Sequence, residues 1–173
     1  MYSISRLSAE AFEEQLPDLA GLLADSVDGG ASVGFVKPFE HEEAERWWRD
    51  RADAVAAGTL AVWTAREDGG AVAGTVSLGL EEKPNAAHRA EIRKLLVRRE
   101  SRGAGLGRAL LAAAEQSAAR AGVTLLMLDT ATASTADHLY RNTGWSCYGV
   151  VPDYAADPDG VLEDCSFYYK RIG

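Results

Sequence analysis

"RRESRGAGLGRALL", residues 98–111, sets three glycines in five positions between a run of arginines and a helix-forming stretch. Upstream, "RAEIRKLLV" (89–97) reads as a strand, and downstream "GRALLAAAEQSAARAG" (107–122) is an alanine-rich helix stopped by Gly122. A strand that enters a helix through bare backbone leaves the first helical N–H groups unpaired, where the helix dipole favours an anion. Glycine lets a phosphate approach that backbone with no Cβ in the way. Two familiar phosphate loops are excluded: no Lys followed by Ser or Thr completes a P-loop, and Gly103-Ala104-Gly105-Leu106-Gly107 is not G-x-G-x-x-G. Arg98, Arg99, Arg102 and Arg108 crowd the segment and point to a polyanionic ligand. The plain alternative is a glycine-rich connection with solvated arginines.

Working outward, "YSISRL" (2–7) alternates like a first strand, and Ser8 with Glu10, Glu13 and Glu14 opens a helix over the following stretch, which Pro17 kinks or splits. "DGGASVG" (28–34) is a loop, and residues 40–58 form a second helix, acidic at its start and closed by Gly58. "TLAVWTA" and "AVAGTVSLGL" make a hairpin around the Asp68-Gly69 turn signal. "VTLLMLDT" (123–130), almost wholly apolar, suits a strand buried on both faces. "STADHLYRNTG" (134–144) is a short helix stopped by Gly144, and "WSCYGVV" and "EDCSFYYKRI" are closing strands. The order β, α, α, β, β, β, α, β, α, β, β describes a mixed α/β sheet with helices on both faces.

At 173 residues and 47% hydrophobic, with no repeat or linker, residues 1–173 read as a single domain. A net charge of −8 argues against binding nucleic acid or anionic membrane and leaves a cationic or amine-bearing small molecule compatible. No apolar run approaches a membrane span and no leader pattern opens the chain, so the cytoplasm is expected. Cys147 and Cys165 are read as free thiols, and His41, His88 and His138 show no metal-ligand spacing.

Arg102-Gly103-Ala104-Gly105-Leu106-Gly107 fits the pattern Gln/Arg-x-x-Gly-x-Gly/Ala, and "LYRNTGW" (139–145) gives Tyr-x-x-x-Gly-aromatic with Ala136 four residues before Tyr140. On these residues the chain resembles the GNAT superfamily of acetyl-CoA-dependent N-acetyltransferases. Where that family often has Asn three residues before the alanine, this chain has Ala133. "ASVGFVKP" (31–38), "HRAEIRKLLV" (88–97), "RGAGLGR" (102–108), "LLMLDT" (125–130) and "VVPDYAADPDGVL" (150–162) are similar to the tabtoxin-resistance group, which acetylates the amine of a β-lactam amino-acid toxin.

The resemblance implies a mostly antiparallel central sheet of about seven strands, splayed at the cofactor site. It implies acetyl-CoA as cofactor, with no metal. Backbone groups of Leu95, Leu96 and Val97 would pair with the pantetheine arm, and Arg102, Gly103, Ala104, Gly105, Leu106, Gly107 and Arg108 would hold the pyrophosphate. Deprotonating the attacking ammonium falls to Glu91 or Asp129, each a carboxylate in an apolar strand whose burial would raise its pKa toward a useful range. The bland readings are a solvated acid paired with Arg89 or Arg93, and a strand-end turn residue. Tyr140 is the candidate acid for the leaving thiolate, with a strand N–H near Leu95 or Leu96 polarising the carbonyl.

By the same resemblance the acceptor pocket draws on Phe35, Trp48 and Tyr154. Trp47 and Trp48, about 100° apart on their helix, cannot both face one core, so one is left for a pocket or an interface. The activity implied is acetyl transfer to the primary amine of a small molecule, including an amino-acid-like toxin or antibiotic, which would make it a resistance enzyme. A protein or peptide N-acetyltransferase and a non-catalytic acyl-CoA-binding module remain as alternatives. The oligomeric state is read as monomer or homodimer.

Overall fold

In a computed structural model describing residues 2–68 and 70–173, the alternating segment Tyr2–Arg6 is an edge strand, β1. Ser8, extended and with its hydroxyl accepting from the Ala11 N–H, caps α1 (Ala9–Glu14). The chain breaks at Gln15 and restarts as α2 (Leu16–Asp28) with Pro17 in its first turn, the split that Pro17 signals. The second expected helix is also two pieces, α3 (His41–Arg49) and α4 (Ala52–Ala56), where one helix over 40–58 was predicted. Hairpin strands β2 (Leu60–Glu67) and β3 (Val72–Leu80) follow; Gly69 of the predicted turn lies outside the described residues. After a 3-10 turn at Pro84–Ala86 come β4 (Arg89–Val97), α5 (Leu106–Arg120), β5 (Leu125–Ala131) and α6 (Thr135–Arg141). Strands β6 (Ser146–Ala156) and β7 (Leu162–Arg171) close the chain.

The seven strands form one sheet in the order β1-β2-β3-β4-β5-β7-β6, antiparallel throughout except for β4 and β5. Helices α1 to α3 pack on one face over a core of Phe12, Leu19, Leu23, Trp48 and Val62; α5 packs on the other over Val76, Ile92, Leu126 and Tyr168. Leu106, Leu110 and Leu111, at most 4% exposed, press α5 onto the sheet, each contributing about 1.5–3 kcal/mol. That burial fixes where the glycine loop sits.

Two irregularities shape the centre of the sheet. First, β4 and β5 pair only from Arg89 to Glu91 against Leu125 to Met127, and beyond those three pairs the strands diverge. The divergence leaves one edge of β4 without a strand partner and opens the sheet into a cleft. It also corrects the expectation for β5: Leu126 and Leu128 are buried, but Met127 and Asp129 face the opening.

Second, β4 carries a bulge. Thr75 lies opposite Leu96 and Ser77 opposite Arg93, so Lys94 and Leu95 together face one residue of β3. Lys94 sits at φ 48, in the left-handed region. The side-chain consequence is visible in the packing: Ile92 and Leu95 contribute to the α5 core and Leu96 to the α2–α3 core. Arg93 and Lys94, consecutive residues, therefore both project to the α3 side.

Candidate functional site

The splay, the glycine loop and helices α3 and α6 enclose a cleft of about 1670 Å³, lined along one side by Leu95, Leu96 and Val97. A drug-sized ligand occupies roughly 300–1,000 Å³, so this volume has room for a long cofactor together with an acceptor.

At one end, Gly105 caps α5 at φ 77 with no side-chain cap bond, which leaves the first-turn N–H groups of α5 uncovered. Gly103 has φ 84, and a Cβ built on Gly103 or Gly105 meets nothing within 4 Å. These positions are glycine because of backbone conformation and open approach, not crowding. Arg102, Gly103, Gly105, Leu106, Gly107 and Arg108 line the cleft; Ala104, expected among the binding residues, does not. The four arginines divide. Arg98 donates to the Val72 carbonyl at 3.0 Å and Arg99 pairs with Asp25 at 2.8 Å, tying the loop to β3 and α2. Arg102 donates to the Val97 carbonyl at 3.2 Å, and Arg108 borders the cleft at the first turn of α5. The open cradle and the unpaired edge of β4 fit the pyrophosphate and arm of CoA.

Tyr140, on α6, is 4% exposed, its ring packed against Trp145 (5.8 Å) and Tyr168 (5.9 Å) and lining the cleft. Its hydroxyl makes no hydrogen bond among the described residues. Burial, and then the negative charge of Asp129, push its pKa well above that of an ordinary phenol. Helix α6 is held by Asp137, only 3% exposed, which accepts from the Tyr168 hydroxyl, the Ala133 N–H (3.0 Å) and Arg141 (3.3 Å). This buried anchor was not among the expected site residues, although Asp137 three residues after the capping Ser134 was a signal of a helix start.

The two candidate acids differ from expectation in one respect: neither is buried. Asp129 is exposed to the cleft and accepts a weak bond from the Cys165 thiol at 3.5 Å. That thiol, buried and beside Asp129, has its pKa pushed up to about 12 and stays protonated. Glu91 is 39% exposed and holds Arg93 through one carboxylate oxygen at 2.8 Å from Nε, the ion-paired alternative of the sequence reading. Gly79 permits this: a Cβ there would stand 3.1 Å from the Arg93 guanidinium.

The acceptor end also departs from expectation. Trp48, predicted to line the pocket, borders the cleft but is fully buried, donating to the Leu19 carbonyl at 3.1 Å and packing on Phe12. Its neighbour Trp47 carries the wall instead. Phe35 stands behind Trp47, at 5.7 Å, and does not itself line the cleft, while Tyr154, 52% exposed, lines the opposite side. Around Trp47 gather cations that the sequence did not single out. The Arg51 guanidinium lies 3.3 Å from its ring centroid, and the Lys94 ammonium 4.9 Å, with Lys94 also donating to the Val33 carbonyl at 2.9 Å. Among the described residues no group of three or more His, Cys, Asp or Glu could hold a metal ion, both cysteines are free, and no helix is long and apolar enough to cross a membrane.

Comparison with known proteins agrees with this geometry. An N-acetyltransferase from Staphylococcus aureus superposes with a TM-score of 0.81 over 100% of this chain and 99% of its own, at 18% identity. The Salmonella typhimurium protein yncA, solved with its cofactor acetyl-CoA, gives 0.79 at 18% identity, covering 100% of this chain and 95% of its own. A candidate phosphinothricin N-acetyltransferase gives 0.78 at 20% identity, with 99% of each chain covered. The acetyltransferase (GNAT) family pattern matches residues 24–145, from α2 through Trp145, and the chain belongs to that family of acetyl-CoA-dependent N-acetyltransferases.

Proposed function

We propose that this protein transfers the acetyl group of acetyl-CoA to the primary amine of a small molecule, with residues 1–173 acting as one acetyltransferase domain in the cytoplasm. The observation that carries the reading is that the α5 cradle, the open edge of β4 and Tyr140 face one cleft. Two free thiols suit a reducing compartment.

Acetyl-CoA supplies an activated thioester when bound. Loop and first-turn N–H groups from Gly103 to Arg108 hold its pyrophosphate, and Leu95 to Val97 pair with its arm as an added strand would. A backbone N–H near Leu95 or Leu96, freed by the bulge and the splay, polarises the carbonyl. Asp129 takes a proton from the acceptor's ammonium, directly or through water, and the freed amine attacks. Tyr140 donates its hydroxyl proton to the departing sulfur and regains one from the proton that the acylated nitrogen sheds; its raised pKa keeps the hydroxyl protonated beforehand. Glu91 is the less suitable base, because one of its carboxylate oxygens is engaged twice by the Arg93 guanidinium. It serves by positioning that guanidinium. Amino-acid-like toxins and antibiotics of the kind acetylated by the tabtoxin-resistance group suit the reading, and the likeness to a candidate phosphinothricin N-acetyltransferase supports it.

Steady-state kinetics on two variants tests the assignment. Asp129→Asn is expected to lower kcat by about 10²–10⁴-fold with the Kd for CoA unchanged, and Glu91→Gln to cost far less. A larger loss from Glu91→Gln would exchange their roles.

A further inference from the structure

The bulge in β4 has no need of a lysine. A left-handed position in a strand is normally glycine, and a non-glycine residue there is strained unless its side chain is wanted. Lys94 is held in place from three directions: its ammonium donates to Val33, lies over Trp47, and stands 5.7 Å from the Phe35 ring. Arg51 stacks on the same indole, donates to the Trp47 carbonyl and lines the same cleft as Lys94. Among the described residues neither Lys94 nor Arg51 forms an ion pair with a carboxylate, whereas Arg89, Arg93 and Arg99 all do.

Two like charges gathered on one ring repel, both are partly withdrawn from water, and the acids nearest in charge, Asp129 and Glu91 for Lys94 and Asp50 for Arg51, make no direct ion pair with them. Burial, followed by the neighbouring positive charge of Arg51, lowers the Lys94 pKa. Such a pair is unfavourable for the free protein and favourable once an anion arrives. Across the cleft the charge reverses: Asp129, Glu163 and Asp164 line the side formed by β5 and β7. The α3–β4 side carries Arg51, Arg89, Arg93 and Lys94 among the acids Asp50, Glu81, Glu82 and Glu91, while the charged residues on the β5–β7 side are all acids. That division suits a small zwitterion better than the purely cationic acceptor that the net charge of −8 suggests.

We infer that Lys94 and Arg51 form a carboxylate subsite, and that the acceptor is an amino acid or amino-acid analogue whose ammonium is thereby directed toward Asp129. The inference rests on the acetyltransferase reading and names the acceptor class for it. Trp47 is the platform that spaces the two cations, and the Lys94 bulge is the device that turns a second cation to the face already occupied by Arg93.

The test compares amino acids with their own amides and decarboxylated amines, reading CoA thiol release under saturating acetyl-CoA. Acids should turn over with kcat/KM at least about tenfold above their amides, the worth of one charge-assisted hydrogen bond. Lys94→Gln and Arg51→Gln should each erase that preference by raising KM for the acid to that for its amide, leaving KM for acetyl-CoA unchanged. Amides or simple amines used as well as the acids by the wild-type protein would overturn the carboxylate subsite while leaving acetyl transfer intact, with no variant required. If no member of the panel turned over, the acetyltransferase reading would fail separately. Calorimetric titration of the acids and amides into the CoA-bound protein then decides the subsite, and equal or absent binding of the two overturns it.

Discussion

Replacing Gly105 by Val separates the two things this glycine does. Gly105 sits at φ 77, where an L-residue costs about 1–2 kcal/mol and a β-branched one at least that. At about 2–4 °C per kcal/mol for a chain of this size, Tm should fall by roughly 2–8 °C. A Cβ at this position meets no atom beyond its chain neighbours within 4 Å, so the new side chain enters the space over the α5 N-terminus. There it should displace at least one N–H bond to a charged phosphate, worth about 1.5–3 kcal/mol, which is about 10- to 150-fold in Kd. Gly122 is the control. It ends the same helix at φ 83, its added Cβ is equally unobstructed, and the 15-residue helix between the two is about 22 Å long. Gly122→Val should therefore lower Tm similarly and leave CoA affinity unchanged. Calorimetric titration of CoA into both variants, with thermal melts of each, makes the comparison. Equal affinity in the two variants would refute the phosphate cradle; equal loss in both would show that affinity only follows stability.

Ala133 sits at φ 62 and is exposed, a conformation costly for alanine, so Ala133→Gly should raise stability by about 1 kcal/mol, or roughly 2–4 °C in a thermal melt. The same strain gives a physical reason for asparagine at this place in relatives, since Asn tolerates the left-handed region better. Asp137→Asn keeps the shape but removes the charge that gathers the Tyr168 hydroxyl, the Ala133 N–H and Arg141, and should cost about 1–3 kcal/mol at pH 7 in chemical denaturation. Burial raises the Asp137 pKa, but those donors outweigh it and hold it below 3.8. Its stabilisation is thus complete above that value and is lost as pH falls through the lowered one, so the gap between the two proteins should close in acid.

Much of this was legible from the chain because its signals are local. The span 89–97 is β4 to the residue, and α5 begins one residue before the predicted start, since glycines at left-handed positions mark both ends of that helix. The break between α3 and α4 was not legible: Asp50 and Arg51 carry no glycine or proline, and the turn is stabilised by Arg51 donating back to Trp47. Which of Trp47 and Trp48 faces the cleft depends on the phase of a short helix with an amphipathic face on each side of it. The bulge at Lys94 is a matter of register between β3 and β4, which no single strand encodes, and with it the cationic wall stayed hidden. Strand β6 runs on through Pro152 to Ala156, past the predicted end, because an edge strand has no outer neighbour to need the missing N–H and its pairing with β7 shifts register between Val151 and Ala155. The acids misled for a related reason: apolar neighbours along β4 and β5 promised burial, and the divergence of the two strands removed it.

The most direct test of the account is amine-dependent release of CoA thiol from acetyl-CoA, with the acetylated amine identified by mass spectrometry, in wild-type protein and in Tyr140→Phe. The account predicts thiol release that requires the amine and matches product mole for mole, and a loss of about 10²–10⁴-fold in kcat in the variant with CoA affinity unchanged. Tight acetyl-CoA binding with no amine-dependent release, or a variant as active as wild type, would contradict it.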